Sequence, residues 1–197
     1  MRSFTALLAS SSLCAVLALA APEGSVRRWG TVKRSSEKVV RNDGCMTDEQ
    51  AQQVADNFKE LIAAYSDELA NAVLTEDFVD YSDSVIELIN NGCPNSPVVL
   101  GTATFSSRAD FEAGQSAQPP IPFEQLNIWH TCDAVTLRWK SAGPGQEPQQ
   151  VTGIIVMETE CGGDGTRLIN TVYSEFNSGA WMANLGIFTP TNCSAPA

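Results

Sequence analysis

Residues that could bind a metal or act as a nucleophile are sparse in this sequence. His130 is the one histidine, and no two cysteines have the C-x-x-C spacing of a zinc site. One group of acidic residues lacks the alternating ligands and central glycine of a calcium-binding EF-hand loop, and we interpret it as a solvated acidic face. Its members are Glu76, Asp77, Asp80, Asp83 and Glu87. No G-x-S-x-G, H-E-x-x-H, phosphate-binding or dinucleotide-binding motif is present, so we predict no metal and no cofactor.

The first residues of the chain have the pattern of a secretory signal. Arg2 precedes an apolar stretch over residues 6–21, which contains the A-x-A cleavage site Ala18-Leu19-Ala20. The alternative is a membrane anchor, for which this stretch is short and interrupted by serines. We predict a signal peptide over residues 1–20, and therefore a secreted, extracellular protein.

Residues 21–44 differ in composition from the rest of the chain. They hold six of the twelve Lys and Arg residues and little apolar surface to offset the entropy cost of ordering. We predict a disordered pro-segment with a possible dibasic processing site at Lys33-Arg34. The alternative is a solvated linker in which the basic pairs are incidental.

The remaining residues are long enough for one domain with a substantial core, which we place at residues 45–190, followed by a tail over 191–197. From residue 45 onward the chain has 20 acidic and five basic side chains, a net charge near −15. Nucleic acids and anionic membranes both require a cationic protein surface. We therefore expect neither as a partner.

Apolar spacing predicts helices in the first half of the domain. Thr47 and Gln50 form a capping box ahead of an apolar stripe that continues to Tyr65. Shorter helices are predicted over residues 67–74 and 84–90, and a fourth from a cap at Ser106 or Ser107 to about residue 117. A short strand is predicted through residues 98–100.

Alternating apolar and polar residues predict strands in the second half. These cover residues 123–131, 134–140, 151–158 and 168–176, and a hairpin at 177–179 leads to a last strand over 180–188. The turn near residue 146 places residues whose numbers sum to about 292 opposite each other. The predicted fold class is α+β, with helices covering one face of a strongly curved antiparallel sheet.

The cysteines of a secreted protein predict disulfides. Five remain once Cys14 leaves with the signal peptide, so one thiol stays free or pairs between chains. The hairpin register favours a Cys132–Cys161 bond. In the alternatives Cys45 bonds with Cys132, Cys93 or Cys193.

Four segments resemble the NTF2-like (SnoaL-like) superfamily, and in particular a group of small secreted fungal members. They are DFVDYSDS (77–84), LGTATFSSR (100–108), NIWHTCD (127–133) and YSEFNSGAW (173–181). The resemblance covers roughly residues 45–188. It implies a cone in which the helices and a bent sheet enclose a pocket, and dimers formed through the convex sheet face. Enzymes and non-enzymes share this fold, so function depends on the pocket.

Catalytic members similar to ketosteroid isomerase or scytalone dehydratase use a carboxylate or histidine base with a tyrosine or acid that polarises a carbonyl. By this resemblance the candidate catalytic residues are Asp80, Tyr81 and His130. The dehydratases use two histidines and this chain has one. The alternatives are that Asp80 or Asp83 caps the helix beginning near Ser84, that Tyr81 packs beneath it, and that His130 is an ordinary strand histidine.

A binding pocket needs aromatic walls and a few polar side chains. The candidate ligand-pocket residues are Asn127, Trp129, Tyr173, Glu175 and Trp181. The favoured hypothesis is a secreted domain that binds a small apolar molecule in its cone without transforming it. The alternatives are a cofactor-free isomerase, dehydratase or cyclase, and an extracellular interaction protein whose pocket has lost its function.

Overall fold

The computed structural model describes residues 44–141 and 147–191. The predicted signal peptide, the pro-segment up to residue 43, the turn at 143–145 and the end of the tail, with Cys193, lie outside these residues. The helices are α1 (Asp48–Ala63), α2 (Asp67–Val73), α3 (Asp83–Ile89), α4 (Arg108–Ser116) and α5 (Ser178–Asn184). The strands are β1 (Leu74–Tyr81), β2 (Phe123–His130), β3 (Ala134–Ser141), β4 (Thr152–Cys161) and β5 (Arg167–Phe176).

The first four helices confirm the predictions made from apolar spacing. The capping box is present, because the amide of Gln50 donates to Thr47 Oγ1 and the amide of Thr47 donates to Gln50 Oε1. Ser107 caps α4. The cap of α3 is Ser82 rather than Asp80 or Asp83: its Oγ accepts from Val85 N at 3.1 Å. Each of these helices therefore begins where a side-chain oxygen accepts an otherwise unpaired amide.

The five strands form one sheet in the order β1-β5-β4-β3-β2. The predicted register is confirmed, since Ala134 pairs with Glu158 and Thr136 with Val156. The sheet is mixed rather than wholly antiparallel, because β1 runs parallel to β5 along one edge. The α+β class is confirmed. No strand was predicted at β1, because four polar residues within LTEDFVDY hide the alternation of apolar and polar residues.

Two predicted strands are wrong. The first, through residues 98–100, is a loop in which the Asn90 side chain bonds to both backbone groups of Val98 and so takes the place of a neighbouring strand. The second, over 180–188, begins instead as α5. The Asn177 amide bonds to the backbone of Thr152 and Gln150, which ends β5 and turns the chain into the helix.

The predicted Cys132–Cys161 disulfide is also wrong. Cys132 lies in the turn between β2 and β3, ahead of the residues that pair with β4, and it bonds with Cys45. This bond was one of the alternatives left open. A backbone hydrogen bond from Met46 N to Cys132 O holds the start of α1 against the same turn. Cys161 is exposed at the far end of β4, where it pairs with Arg167.

Candidate functional site

The inner face of the sheet packs against the helices, and side chains fill the space between them. Phe58 of α1 is buried against the inner residues of the sheet. A row of rings then follows one end of the cone, with ring-centre distances of 5.2 Å for Phe123–Trp139, 6.0 Å for Trp139–Phe176 and 5.0 Å for Phe176–Trp181. The pocket expected inside the cone is thus occupied by the chain's own side chains among the residues described.

Asp80 is the candidate catalytic residue that lies inside the cone. It pairs in register with inward-facing Val172 on β5, and only 5% of its surface is exposed. Its Oδ1 has no hydrogen-bond partner among the described residues. Burial, and to a lesser extent the negative charge of Glu175, raises the pKa of Asp80 from 3.8 to about 7. Asp80 is therefore a buried carboxylic acid that holds its proton up to neutral pH.

Tyr81 faces the other way. Successive side chains of a strand point to opposite faces, so the residue after Asp80 lies on the outer face of the sheet. Its ring stacks on Tyr173 with 5.5 Å between centres and 12° between planes, and 39% of Tyr81 is exposed. The predicted pair of an acid and a tyrosine in one pocket does not form.

His130 lies on β2, at the opposite edge of the sheet from Asp80. Four strand spacings of about 4.8 Å separate the two edges, roughly 19 Å in all. The His130 Nε2 atom is 2.9 Å from Asp48 Oδ1, and its Nδ1 atom is 2.9 Å from the carbonyl oxygen of Thr131. At this separation Asp80 and His130 cannot share one reacting atom, and His130 helps to join β2 to the start of α1.

The predicted ligand-pocket residues, apart from Trp181, lie together on the outer face. Trp129 and Tyr173 belong to one continuous row across all five strands, whose members pair in register from strand to strand. The row consists of Trp129, Thr136, Val156, Tyr173 and Tyr81. Of its aromatic members, Trp129 is 54% exposed and Tyr173 is 44% exposed. We call these five residues the outer row.

A shallow, open hollow of about 360 Å³ lies beside the outer row. The residues that line the hollow include Arg138, Ile154 and Glu175, and Ile154 is 51% exposed. Asn127 pairs with Arg138 on the same face. The Glu175 carboxylate is already engaged, since it accepts hydrogen bonds from the amides of Asp83 and Ser84 and from the Ser84 hydroxyl at the start of α3. Glu175 therefore anchors a helix at the rim of the hollow.

Trp181 is the member of the predicted pocket set that turns inward. It lies on α5, is 8% exposed and packs against Phe176. A second hollow, of about 270 Å³, lies between the ends of α1 and α4 and includes Tyr65 and Gln115. No predicted site residue lines that hollow.

The residues of the outer face that were not predicted as site residues include Thr136, Arg138, Ile154 and Val156. The register sum near 292 contains the necessary signal, because it pairs Arg138 with Ile154 and Thr136 with Val156. The register does not say which face of the sheet the helices cover.

In the described ranges 44–141 and 147–191, no helix is both long and apolar enough to cross a membrane, and no cluster of three or more His, Cys, Asp or Glu side chains is arranged to hold a metal ion.

The chain belongs to the family described as NTF2-like domain, whose model matches residues 44–188. No curated protein matches the sequence. The structure resembles a proposed polyketide cyclase from Bacillus cereus ATCC 10987, with a TM-score of 0.52, 15% identity, and coverage of 73% of this chain and 87% of that one. It also resembles IdmH from Streptomyces antibioticus, a proposed polyketide cyclase, with a TM-score of 0.50, 16% identity, and coverage of 70% and 99%. At these identities the likeness establishes the cone fold of the NTF2-like (SnoaL-like) superfamily.

Proposed function

We propose that this protein is a secreted, fungal NTF2-like domain that acts by binding, and that its recognition surface is the outer face of the sheet. The outer row supports the proposal, because it exposes aromatic and apolar side chains in register across five strands of an otherwise acidic domain. Exposed apolar patches of this kind mark interaction sites. Trp and Tyr are also the residues most enriched where proteins associate.

A second copy of the chain is the partner that this face fits best. Five strands about 4.8 Å apart, three of them eight residues long and two ten residues long, give a surface of roughly 24 by 23–30 Å, or about 550–700 Å². A standard interface buries about 800 Å² on each partner. This face carries both signs of charge, since Lys140 pairs with Glu124 at 3.0 Å and Arg138 lines the same hollow as Glu175, while Glu158 of β4 is exposed on it as well.

Replacing Trp129 with serine is expected to convert a dimer into a monomer, because it removes the largest exposed ring of the outer row. Sedimentation equilibrium of protein purified from culture medium measures the mass directly. Val99→Ser is the matched control: Val99 is 52% exposed but lies in the loop before α4. A wild-type protein that is monomeric at all concentrations, or a Trp129→Ser variant that dimerises as the wild type does, would exclude this partner.

Native mass spectrometry of the same material tests the small apolar ligand expected from the sequence. We place that ligand at the hollow of Arg138, Ile154 and Glu175, since the cone interior is filled. A retained small molecule that is lost in an Ile154→Ser variant supports the ligand proposal. Mass corresponding to the polypeptide alone would leave association between copies as the function.

The same spectrum gives the mature N-terminus, and a start at residue 35 would support processing after Lys33-Arg34.

Asp80 is the observation that favours a second candidate, a cofactor-free isomerase, dehydratase or cyclase. A carboxylic acid that stays protonated in an apolar site can donate a hydrogen bond to a developing oxyanion. Its neighbours now close off the site, so this candidate requires the interior to open. If the wild-type protein accelerates cyclisation or dehydration of a polyketide-like substrate and Asp80→Asn abolishes the reaction, the enzyme hypothesis replaces the binding one.

A further inference from the structure

The charges on the outer face follow the register of β3 and β4. Thr136 of β3 pairs with Val156 of β4 in the middle of the outer row. Arg138 lies two residues further along β3, Glu158 lies two residues further along β4, and both are exposed. Because the two strands run in opposite directions, Arg138 and Glu158 lie on opposite sides of the outer row, each about 7 Å from it.

The next outward-facing residues continue this pattern. They are Lys140 on the side of Arg138 and Glu160 on the side of Glu158. On these two neighbouring strands the basic side chains thus lie on one side of the outer row and the acidic side chains lie on the other. Opposite charges therefore occupy positions that a two-fold rotation about a line along the row would bring together in two copies.

Two further carboxylates lie on the side of Arg138, and both are already engaged. Glu124 pairs with Lys140 at 3.0 Å, and Glu175 accepts hydrogen bonds from backbone amides at the start of α3. Within the described part of the chain, neither Arg138 nor Glu158 forms an ion pair or a side-chain hydrogen bond. Both side chains are therefore available to a second copy.

We propose that two copies meet through a two-fold axis that runs along the outer row, so that Arg138 of each copy pairs with Glu158 of the other. The inference rests on the proposed association of two copies through this face and gives that association a geometry. A two-fold axis that lies between facing sheets exchanges the two sides of the row, so a residue on one side meets a residue from the other side. One interface therefore contains the Arg138–Glu158 pair twice.

The angle at which two sheets pack is consistent with this arrangement. Arg138 and Glu158 are separated by about 13 Å along the strands and about 4.8 Å across them. Placing one over the other turns the axis about 20° from the row, so the strands of the two copies cross at roughly 40°. The same construction for Lys140 and Glu160 gives roughly 20°. Sheets in an aligned packing cross at about 30°, which lies between these two values.

A two-fold axis parallel to the strands does not satisfy the same charges. If it lay between β3 and β4, it would place Arg138 of one copy against Ile154 of the other, and Glu158 against Ala134. Each interface would then enclose these charges without partners, which is strongly unfavourable. The axis along the row avoids this cost. It also brings Trp129 of one copy close to Trp129 of the other, since residues on a two-fold axis meet their own copies.

Charge reversal tests the pairing by sedimentation equilibrium. We expect Arg138→Glu and Glu158→Arg each to raise the Kd of dimerisation about 10- to 100-fold, because either change creates two like-charge contacts. A general effect of net charge would instead weaken association in Arg138→Glu and strengthen it in Glu158→Arg, since the domain is acidic. Lys59→Glu and Glu60→Arg make the same changes of net charge on α1 and should dimerise as the wild type does.

Two restorations show that the single variants are folded and that the contact is reciprocal. The double variant Arg138→Glu/Glu158→Arg should recover most of the wild-type affinity, because its two contacts again join opposite charges. An equimolar mixture of Arg138→Glu and Glu158→Arg should form a heterodimer for the same reason, although each variant alone is largely monomeric.

The remaining outcomes separate failure of the pairing from failure of the association. A wild-type protein that is monomeric at all concentrations removes the proposed association and the pairing with it. If the wild type dimerises, Trp129→Ser does not, and the single reversals dimerise as the wild type does, the pairing is wrong and the dimer through the outer face remains. Tighter association of Glu158→Arg, or a mixture of the two variants that stays monomeric, contradicts the pairing as well.

Discussion

Asp80→Asn is expected to make the domain more stable at pH 8 and to remove much of the loss of stability that the wild type shows above pH 5. The folded state raises the pKa of Asp80 to about 7, well above its ordinary value of 3.8. Such a group favours folding fully below the unfolded pKa, and its contribution is lost as the pH rises through the folded pKa. Between pH 5 and pH 8 this difference costs the wild type roughly 3 kcal/mol. Asparagine carries no charge to bury at any of these pH values.

Urea unfolding at pH 5, 6.5 and 8 measures the effect. Asp77→Asn is the matched control, because Asp77 lies on the same strand but is exposed, and its replacement should leave the pH dependence as it is in the wild type. If Asp80→Asn has the same slope of unfolding free energy against pH as the wild type, the Asp80 carboxylate is accommodated inside the cone without cost. That result would indicate water or an unrecognised partner at Oδ1.

Trp181→Ala is expected to lower the free energy of unfolding by about 3–5 kcal/mol, the usual loss when a buried aromatic residue is truncated. Trp181 packs against Phe176 and ends the row of four rings. Its removal leaves an apolar void at one end of the cone, and voids of this kind stay dry and admit small apolar molecules. The variant therefore also shows whether this end of the cone is a place where a ligand could enter.

Chemical unfolding, with and without a small aromatic probe such as benzene, measures both effects. Phe188→Ala is the control, since this ring follows the same helix but is 51% exposed, and its loss should change stability by no more than about 0.5 kcal/mol. Stabilisation of Trp181→Ala by the probe, with none for the wild type, is the expected pattern. A loss below about 1 kcal/mol would mean that α5 does not close the cone.

The features that follow from local physics were predictable from the sequence. The Thr47–Gln50 capping box fixes the start of α1, because the two side chains satisfy the backbone amides of Gln50 and Thr47. The pairing of Thr136 with Val156 follows from alternation and one turn position. Both depend on residues that lie close together in sequence or on a single hairpin.

The features that depend on distant contacts were not predictable. Simple alternation along β2 would place Gln125 on the same face as Asn127 and Trp129, but the register shifts between Gln125 and Asn127, and Gln125 bonds with Gln52 of α1. The fate of residues 180–188 depends on the bonds between Asn177 and the segment before β4. Neither contact produces a periodic pattern of apolar and polar residues in the sequence.

The candidate site, too, combines features that local sequence predicts with features that depend on distant contacts. Polar and aromatic residues of β2 and β5 were predicted as one group, and Trp129 and Tyr173 lie in one row. Their assignment to the inside of the cone required knowing which face the helices cover. That choice depends on where α1 packs, and a strand pattern with apolar residues on both faces does not determine it.

The Cys45–Cys132 bond gives the domain a defined mechanical anchor. The basic N-terminal segment joins the domain at Gly44, one residue before a covalent link to the β2–β3 turn. Tension applied through that segment would pass into the disulfide and from there into the hydrogen-bonded ladder of the sheet, and α1 would bear little of it. A pulling force on the N-terminal segment would therefore not detach α1 from the core. Under reducing conditions the same force would act directly on the capping box of α1.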